Sequence, residues 1–260
     1  MAENVPIMDP NYVPDEFKTP YDIVELPSQG LLYKNKKNKV KIEYLTAMDE
    51  SILSSPNLSS NPTLMLDILL ERKVKDLGFP VHDLLEGDRI ALLIFLRASG
   101  LGEIHKQIVW DEDLMEYIDG EVDLTKLKQK KLLIKPGEDG EFEYVLPMSS
   151  KKIKFKFLTG KDEADITDSD ESYMKRNGDK ISNKIIFRLE KSVTEFDGNR
   201  DKIFISNSLK KITIKDSRSL RKYMNENEPG LDYNTTARIP GGGSVPTFFR
   251  FNQNFLWPEL

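Results

Sequence analysis

Cysteine is absent from all 260 residues. That removes disulfides, thiolate nucleophiles and Cys-ligated zinc together, and it makes a stapled secreted domain a poor description. Histidine is nearly absent as well: His82 and His105 are the two copies, and neither has a partner at metal-ligand spacing. His82 is expected at a surface or helix-start position and His105 in a loop or strand. Long apolar runs are missing too. The longest, Ile90–Leu96, falls far short of the roughly 20 residues that span a bilayer. Nor is there an excess of positive charge: 38 Lys and Arg stand against 43 Asp and Glu, a net of −5. That balance argues against a protein devoted to coating nucleic acid, while leaving room for a local basic patch. The opening MAENVPIMDPNYVPDEF lacks both the basic flank and the apolar core of a signal peptide. An acidic, proline-rich extended arm is expected over residues 1–20, on a chain made in a reducing cytoplasm.

What the sequence does contain is a repetition. VELPSQGLLYKNKKNKVKIEYLTAMDESI (24–52) and YVLPMSSKKIKFKFLTGKDEADI (144–166) share an order of features. Leu26-Pro27 answers Leu146-Pro147, and Leu45-Thr46-x-x-Asp49-Glu50 answers Leu158-Thr159-x-x-Asp162-Glu163. Farther on, Leu70–Val74 faces Leu189–Val193, and Asp88–Leu92 faces Asp216–Leu220, followed by Gly100 and Gly230. Four matches in one order point to an internal duplication.

Each copy has a physical reading. Val40–Leu45 and the IKFKF of 153–157 alternate apolar and polar residues, as a strand with one wet face does. The YKNKKNK stretch is expected to turn Leu31-Leu32-Tyr33 back onto Val40 as a hairpin. Thr46 and Thr159 stand as helix N-caps, with Asp49 and Asp162 three residues on to return the hydrogen bond. Helices are expected over 62–74, with Leu66, Leu69, Leu70 and Val74 on one face, and over 84–102, with Gly87-Asp88 as turn and cap. A third is expected over 215–230, capped by Asp216 or Ser217, while 201–214 is apolar enough to join the core. The fold class expected is therefore α+β: two tandem units, each a hairpin or small antiparallel sheet on a helical bundle. They occupy 21–135 and 144–260, joined by a flexible linker at 136–143 around Pro136–Gly140.

The search for chemistry ends mostly in structural explanations. Asp49/Glu50 and Asp162/Glu163 mimic an acid–base pair, but capping accounts for their place in both copies. DEADITDSDES (162–172) lacks the sixth-position glycine of a calcium loop and reads as an acidic helix end or loop. IPGGGSVP (239–246) is followed by Val245-Pro246 rather than by a helix, so a turn is expected in place of a phosphate cradle. YKNKKNKVK and SSKKIKFKF interleave lysine with aromatics as single-strand binders do, which leaves nucleic-acid binding as the alternative function; a lysine-rich solvent face is the simpler account. The ending PTFFRFNQNFLWPEL concentrates Phe248, Phe249, Phe251, Phe255 and Trp257, either as a closing core strand or as an aromatic arm that docks on another protein.

These stretches in order, ELPSQGLLY, KIEYLTAMDE, GDRIALLIFLRASGLGE, YVLPMSSKKIKFKFLTGKDE, DSRSLRKYMNENEPGLD and the final FLWP, resemble the baseplate hub and hub-assembly proteins of T4-type tailed bacteriophages. The resemblance runs from about Tyr21 onward. It implies a non-enzymatic protein made late in infection in the host cytoplasm, acting as a hub subunit of the virion or as an assembly chaperone. Its partners would be other baseplate hub or tail proteins rather than nucleic acid or membrane, and it would need no cofactor. Members of that family often carry cysteine pairs of a small zinc ribbon before the last aromatic strand; this chain has ARIPGGGSVPTFF there, so no metal site carries over. The five C-terminal aromatics are the expected partner contacts.

Overall fold

A computed structural model describes residues 19–54, 62–178, 180–251 and 255. Most of the expected arm, residues 1–18, lies outside them, as does Trp257. The fold is α+β: among the described residues there are seven helices and twelve strands in four antiparallel sheets.

In the first half, β1 (Tyr21–Glu25) pairs with β2 (Lys39–Glu43), and β2 pairs with β3 (Val74–Lys75). Helix α1 (Ala47–Leu53) follows β2, α2 (Pro62–Lys73) runs straight into β3, and α3 (Glu86–Leu101) comes next. The second half repeats this order with β7 (Phe142–Val145), β8 (Lys152–Phe155) and β9 (Val193–Phe196) in a three-stranded sheet. There α4 (Gly160–Arg176) follows β8, α5 (Lys184–Ser192) runs into β9, and α7 (Ile214–Asn227) closes the series. The second half inserts α6 (Lys202–Leu209) before α7, where the first has only a short 3-10 turn at Val81–Asp83.

The matched residues hold equivalent places. Leu70 and Leu189 are buried, and Val74 and Val193 open equivalent strands. Asp88 and Asp216 sit at the third position of α3 and α7, both fully buried. Each reaches back to the residue after its Leu-Pro step: the Ser28 amide donates to Asp88 at 2.8 Å and the Met148 amide to Asp216 at 2.7 Å. These carboxylates serve as struts from helix to hairpin. They do not form the caps expected at 88 and 216, which fall to Leu85 and Thr213. Gly87 is likewise inside α3 and makes no turn. The tertiary contact it permits explains why glycine stands there: a Cβ at this position would lie 1.9 Å from the Pro229 carbonyl oxygen.

The first hairpin also differs from expectation. Its outer strand is β1, and Leu31–Tyr33 belongs to the loop between β1 and β2. The cause is Tyr33, whose hydroxyl donates to Asp88 at 2.6 Å while accepting from the Leu85 amide at 2.9 Å, so the loop folds over the start of α3. DEADITDSDES lies within α4, because Thr159 caps the helix ahead of it and its carboxylates find partners: Asp170 accepts from Ser182 Oγ and the Asn183 amide. The linker is an ordered turn held by ion pairs of Asp139 to Lys154 and Arg200, and Phe142 already belongs to β7.

The boundary at 144 does not describe the packing. The larger core cluster joins Ile42, Leu69 and Leu92 of the first half to Phe142, Phe155 and Phe157 of the second. A smaller one holds Leu146, Ile153, Leu189, Ile205 and Leu220. The last strands return to the first half: β11 (Asn234–Arg238) pairs with β12 (Ser244–Phe248) and with β5 (Glu116–Asp123), and β5 pairs with β4 (Ile104–Asp111). Gln107 links the two edge strands of this sheet, donating from β4 to the Thr247 hydroxyl and the Phe248 carbonyl, both at 3.2 Å. A short pair, β6 (Gln129–Lys130) with β10 (Gly230–Leu231), adds a second crossing.

Candidate protein-docking surface

The C-terminal aromatics do not form one exposed arm. Phe249 and Phe255 are fully buried, their rings 5.5 Å apart and both edged by His105. Arg97 ties this end down, donating from Nε to the Phe255 carbonyl at 3.1 Å. Phe251 is half-buried against Phe255, and Phe248 alone of the described four points to solvent, at 55% exposure. Phe248 ends β12, and the Phe249 amide extends the pairing by donating to the Tyr233 carbonyl at 2.7 Å, so these two neighbours leave extended backbone on opposite faces. The four cap residues stand where expected. The Thr46 amide donates to Asp49 at 2.8 Å, and the Thr159 amide to Asp162 at 3.1 Å. Burial would raise the Asp49 carboxyl, but Lys73, Thr46 and Arg72 outweigh it and hold it down at about 2. Both aspartates are structural anchors.

In the first lysine-rich stretch Tyr33 is buried, Lys39 pairs with Glu25, and Lys41 lies over the exposed Tyr21 ring at 3.8 Å. The second stretch turns its aromatics inward. Phe155 and Phe157 face the core, and Lys151, Lys152, Lys154 and Lys156 each meet a carboxylate: Asp197, Glu143, Asp139 and Asp162.

A group of exposed apolar side chains lies late in the first unit, in a segment to which the sequence reading gave no functional role. Strands β4 and β5, eight residues each, form a hairpin with Trp110 opposite Tyr117 and Ile108 opposite Asp119. Ile108 is 62% exposed, Leu114 60%, Met115 71% and Tyr117 70%, with Trp110 packed edge-on against Tyr117 at 5.0 Å. Val109 and Val122 face inward, so the hairpin is anchored by one face and offers the other. Its turn is stiff: the buried Asp111 carboxylate accepts from the Asp113 and Leu114 amides at 2.8 and 3.1 Å, and Met115 takes a left-handed φ of 54°. The signal was present in sequence as apolar residues on both sides of DEDLME. The period-two pattern is blurred there because both faces carry hydrophobics.

A second constellation lies at the seam of the two halves. The Glu86 amide donates to the Leu158 carbonyl and the Gly160 amide to the Leu84 carbonyl, each at 3.0 Å, so the starts of α3 and α4 are joined by backbone. Around this bridge, Glu86, Glu163 and Glu228 converge with Arg188, Lys130 and Tyr233 on a cavity of about 230 Å³. Arg188 pairs with Glu163, and Arg89 faces Glu86 at 3.5 Å. Burial and the neighbouring carboxylates push Glu86 and Glu228 up to about 7, against the attraction of Arg89, Arg188 and Lys130.

This arrangement makes stability fall as pH rises. Below the ordinary glutamate value of 4.5, Glu228 is protonated whether the chain is folded or not. Between 4.5 and about 7 the folded chain holds a proton that the unfolded chain releases, and above 7 the folded state carries the unfavourable charge. Glu228→Gln removes that charge. We expect it to raise stability by about 1–3 kcal/mol at pH 8 and to change little at pH 4, read by urea unfolding at the two pH values. An equal effect at both would remove the titration account.

Among the described residues no helix is long and apolar enough to cross a membrane, and no group of three or more acidic or histidine side chains is placed to hold a metal ion. No known protein family, curated protein or solved structure matches the chain.

Proposed function

We propose that this chain is a non-enzymatic assembly protein of a contractile phage tail, acting in construction of the baseplate hub as a hub subunit or an assembly chaperone. The family reading comes from the sequence resemblance. The observation that supports an assembly role is the β4–β5 hairpin, which holds a rigid apolar tip in solvent. Exposed apolar groups of this kind mark interaction sites. The chemistry of the collar narrows the partner class, since residues 107–125 contain seven Asp or Glu and no Lys or Arg. Such a surface repels phosphate backbones and anionic bilayers alike, which leaves protein as the natural occupant. The paired order of elements in the two halves favours descent from one duplicated unit, fused by the returning C-terminal strands into a single body that can bridge subunits.

The test is mass spectrometry of purified virions beside affinity capture of the tagged chain from infected host cells. The chain in particles supports a hub subunit; capture with hub proteins before assembly, but absence from particles, supports a chaperone. Absence from both defeats the phage reading.

A further inference from the structure

We propose that the hairpin tip is occupied by a second copy of this chain, bound head to tail through the helix pair α6–α7. This rests on reading the hairpin as a docking surface and supplies its occupant. On the tip, Glu112, Asp113, Glu116, Asp119 and Glu121 are exposed and have no ion-pair partner among the described residues. They surround Ile108, Trp110, Leu114, Met115 and Tyr117.

The inverse surface lies on the second half. Residues 202–222 contain seven Lys or Arg and a single acid, Asp216, which is buried on the Met148 and Ser149 amides. Lys202, Lys211, Lys215 and Arg218 are exposed, again without an ion-pair partner among the described residues. Between them Ile203 is 72% exposed, Phe204 43% and Ile214 78%. Each surface is thus an apolar group whose collar is mostly of one sign, acidic on the hairpin apart from the exposed Lys106 and basic on the helices apart from the exposed Asp201, and the two are complementary in net charge. Hairpin on hairpin would oppose acid to acid, so a symmetric dimer through the tip is disfavoured. A heterologous contact matches charge and apolar area together and propagates to a ring or a chain.

The test is sedimentation velocity of the full chain in low salt, over concentrations up to about 100 μM. We expect the mean mass to grow with concentration and to fall back when salt screens the collars. Two exposed double variants follow, Trp110→Ser with Met115→Ser and Lys211→Glu with Lys215→Glu, each verified as folded by circular dichroism. Each alone should weaken association at least about tenfold. Mixed in equal amounts they should form a one-to-one dimer and nothing larger, because each supplies the surface the other has lost. A wild type that stays monomeric throughout, an association untouched by either variant, or a mixture that stays monomeric overturns the proposal. If the wild type is monomeric yet the hairpin variant loses capture of hub proteins, self-occupancy fails while the docking reading stands.

Discussion

Gly87→Ala is expected to lower the thermal midpoint by on the order of 10 °C, although alanine is the better helix former. Helix propensity alone favours the substitution by about 1 kcal/mol, because alanine loses less backbone entropy on folding. Packing opposes it. The added Cβ would lie 1.9 Å from the Pro229 carbonyl oxygen and 2.9 Å from the Gly230 Cα, and neither is a side chain that can swing away. Relief requires β10 to leave α3, which takes the β6–β10 pairing and the seam with it. The cost is put at about 3 kcal/mol or more, so packing outweighs propensity. Gly100 supplies the control in the same helix. Its Cβ would meet Leu45 Cδ1 at 2.8 Å and Leu45 Cβ and Cγ at 3.1 Å, one side chain that can shift by a few tenths of an ångström rather than a backbone carbonyl, so Gly100→Ala should cost less. Differential scanning calorimetry of the two variants decides the matter. If Gly87→Ala melts at or above the wild type, close approach at the seam is not what fixes this glycine.

The second large effect concerns the two struts. Asp88→Ala should destabilise the chain by about 4 kcal/mol, and Asp216→Ala by about 2. Asp88 receives the Ser28 amide, the Ser28 hydroxyl and the Tyr33 hydroxyl in a fully buried site. Burial pushes its carboxyl up while those same donors pull it down, so the site is costly to occupy and costlier to vacate. Removing it strands buried donors at about 1–3 kcal/mol each. Asp216 is as buried as Asp88 but receives only two donors, the Met148 and Ser149 amides at 2.7 and 3.2 Å, and both belong to exposed residues whose amides water can reach once the carboxylate is gone. Asp88→Asn keeps the shape but sets an amide nitrogen against at least one donor, and should fall between wild type and alanine. Chemical denaturation of the three variants gives the ranking. Equal costs at 88 and 216, or a cost below 1 kcal/mol at 88, would show that the strut is incidental.

The correspondence of these two sites shows how far sequence alone carried. Leu-Pro with a distant Asp, Leu-Thr-x-x-Asp-Glu, and the Leu70–Val74 and Leu189–Val193 pairing all mark backbone tasks that the local sequence encodes: a hairpin corner, a capped helix start, a helix that runs into a strand. Such tasks depend on residues a few positions apart, so their traces survive in a linear reading. That reading gave the α+β class, both capping boxes and most of the helices, but not the outer strand of the first hairpin or the strands that follow α2 and α5. It misassigned Asp88 and Asp216 as caps because it could see their helices but not the hairpin corners, 60 and 68 residues away, that supply their donors.

The C-terminal aromatics show the other side. Phe248 and Phe249 are neighbours with opposite fates, decided by which face of β12 meets the first half's sheet, and the sequence does not state that pairing. The same ignorance hid the β4–β5 tip, since hydrophobic residues on both faces of a strand read as buried until a partner is found for one face and none for the other. Sequence by itself determined the lack of cysteine, the capped helix starts at Thr46 and Thr159, and the charge segregation between residues 107–125 and 202–222. Only the tertiary structure decided which carboxylates meet at the seam, which glycine admits a backbone, and which apolar face is left in water, because each depends on distances between segments that no local preference sets.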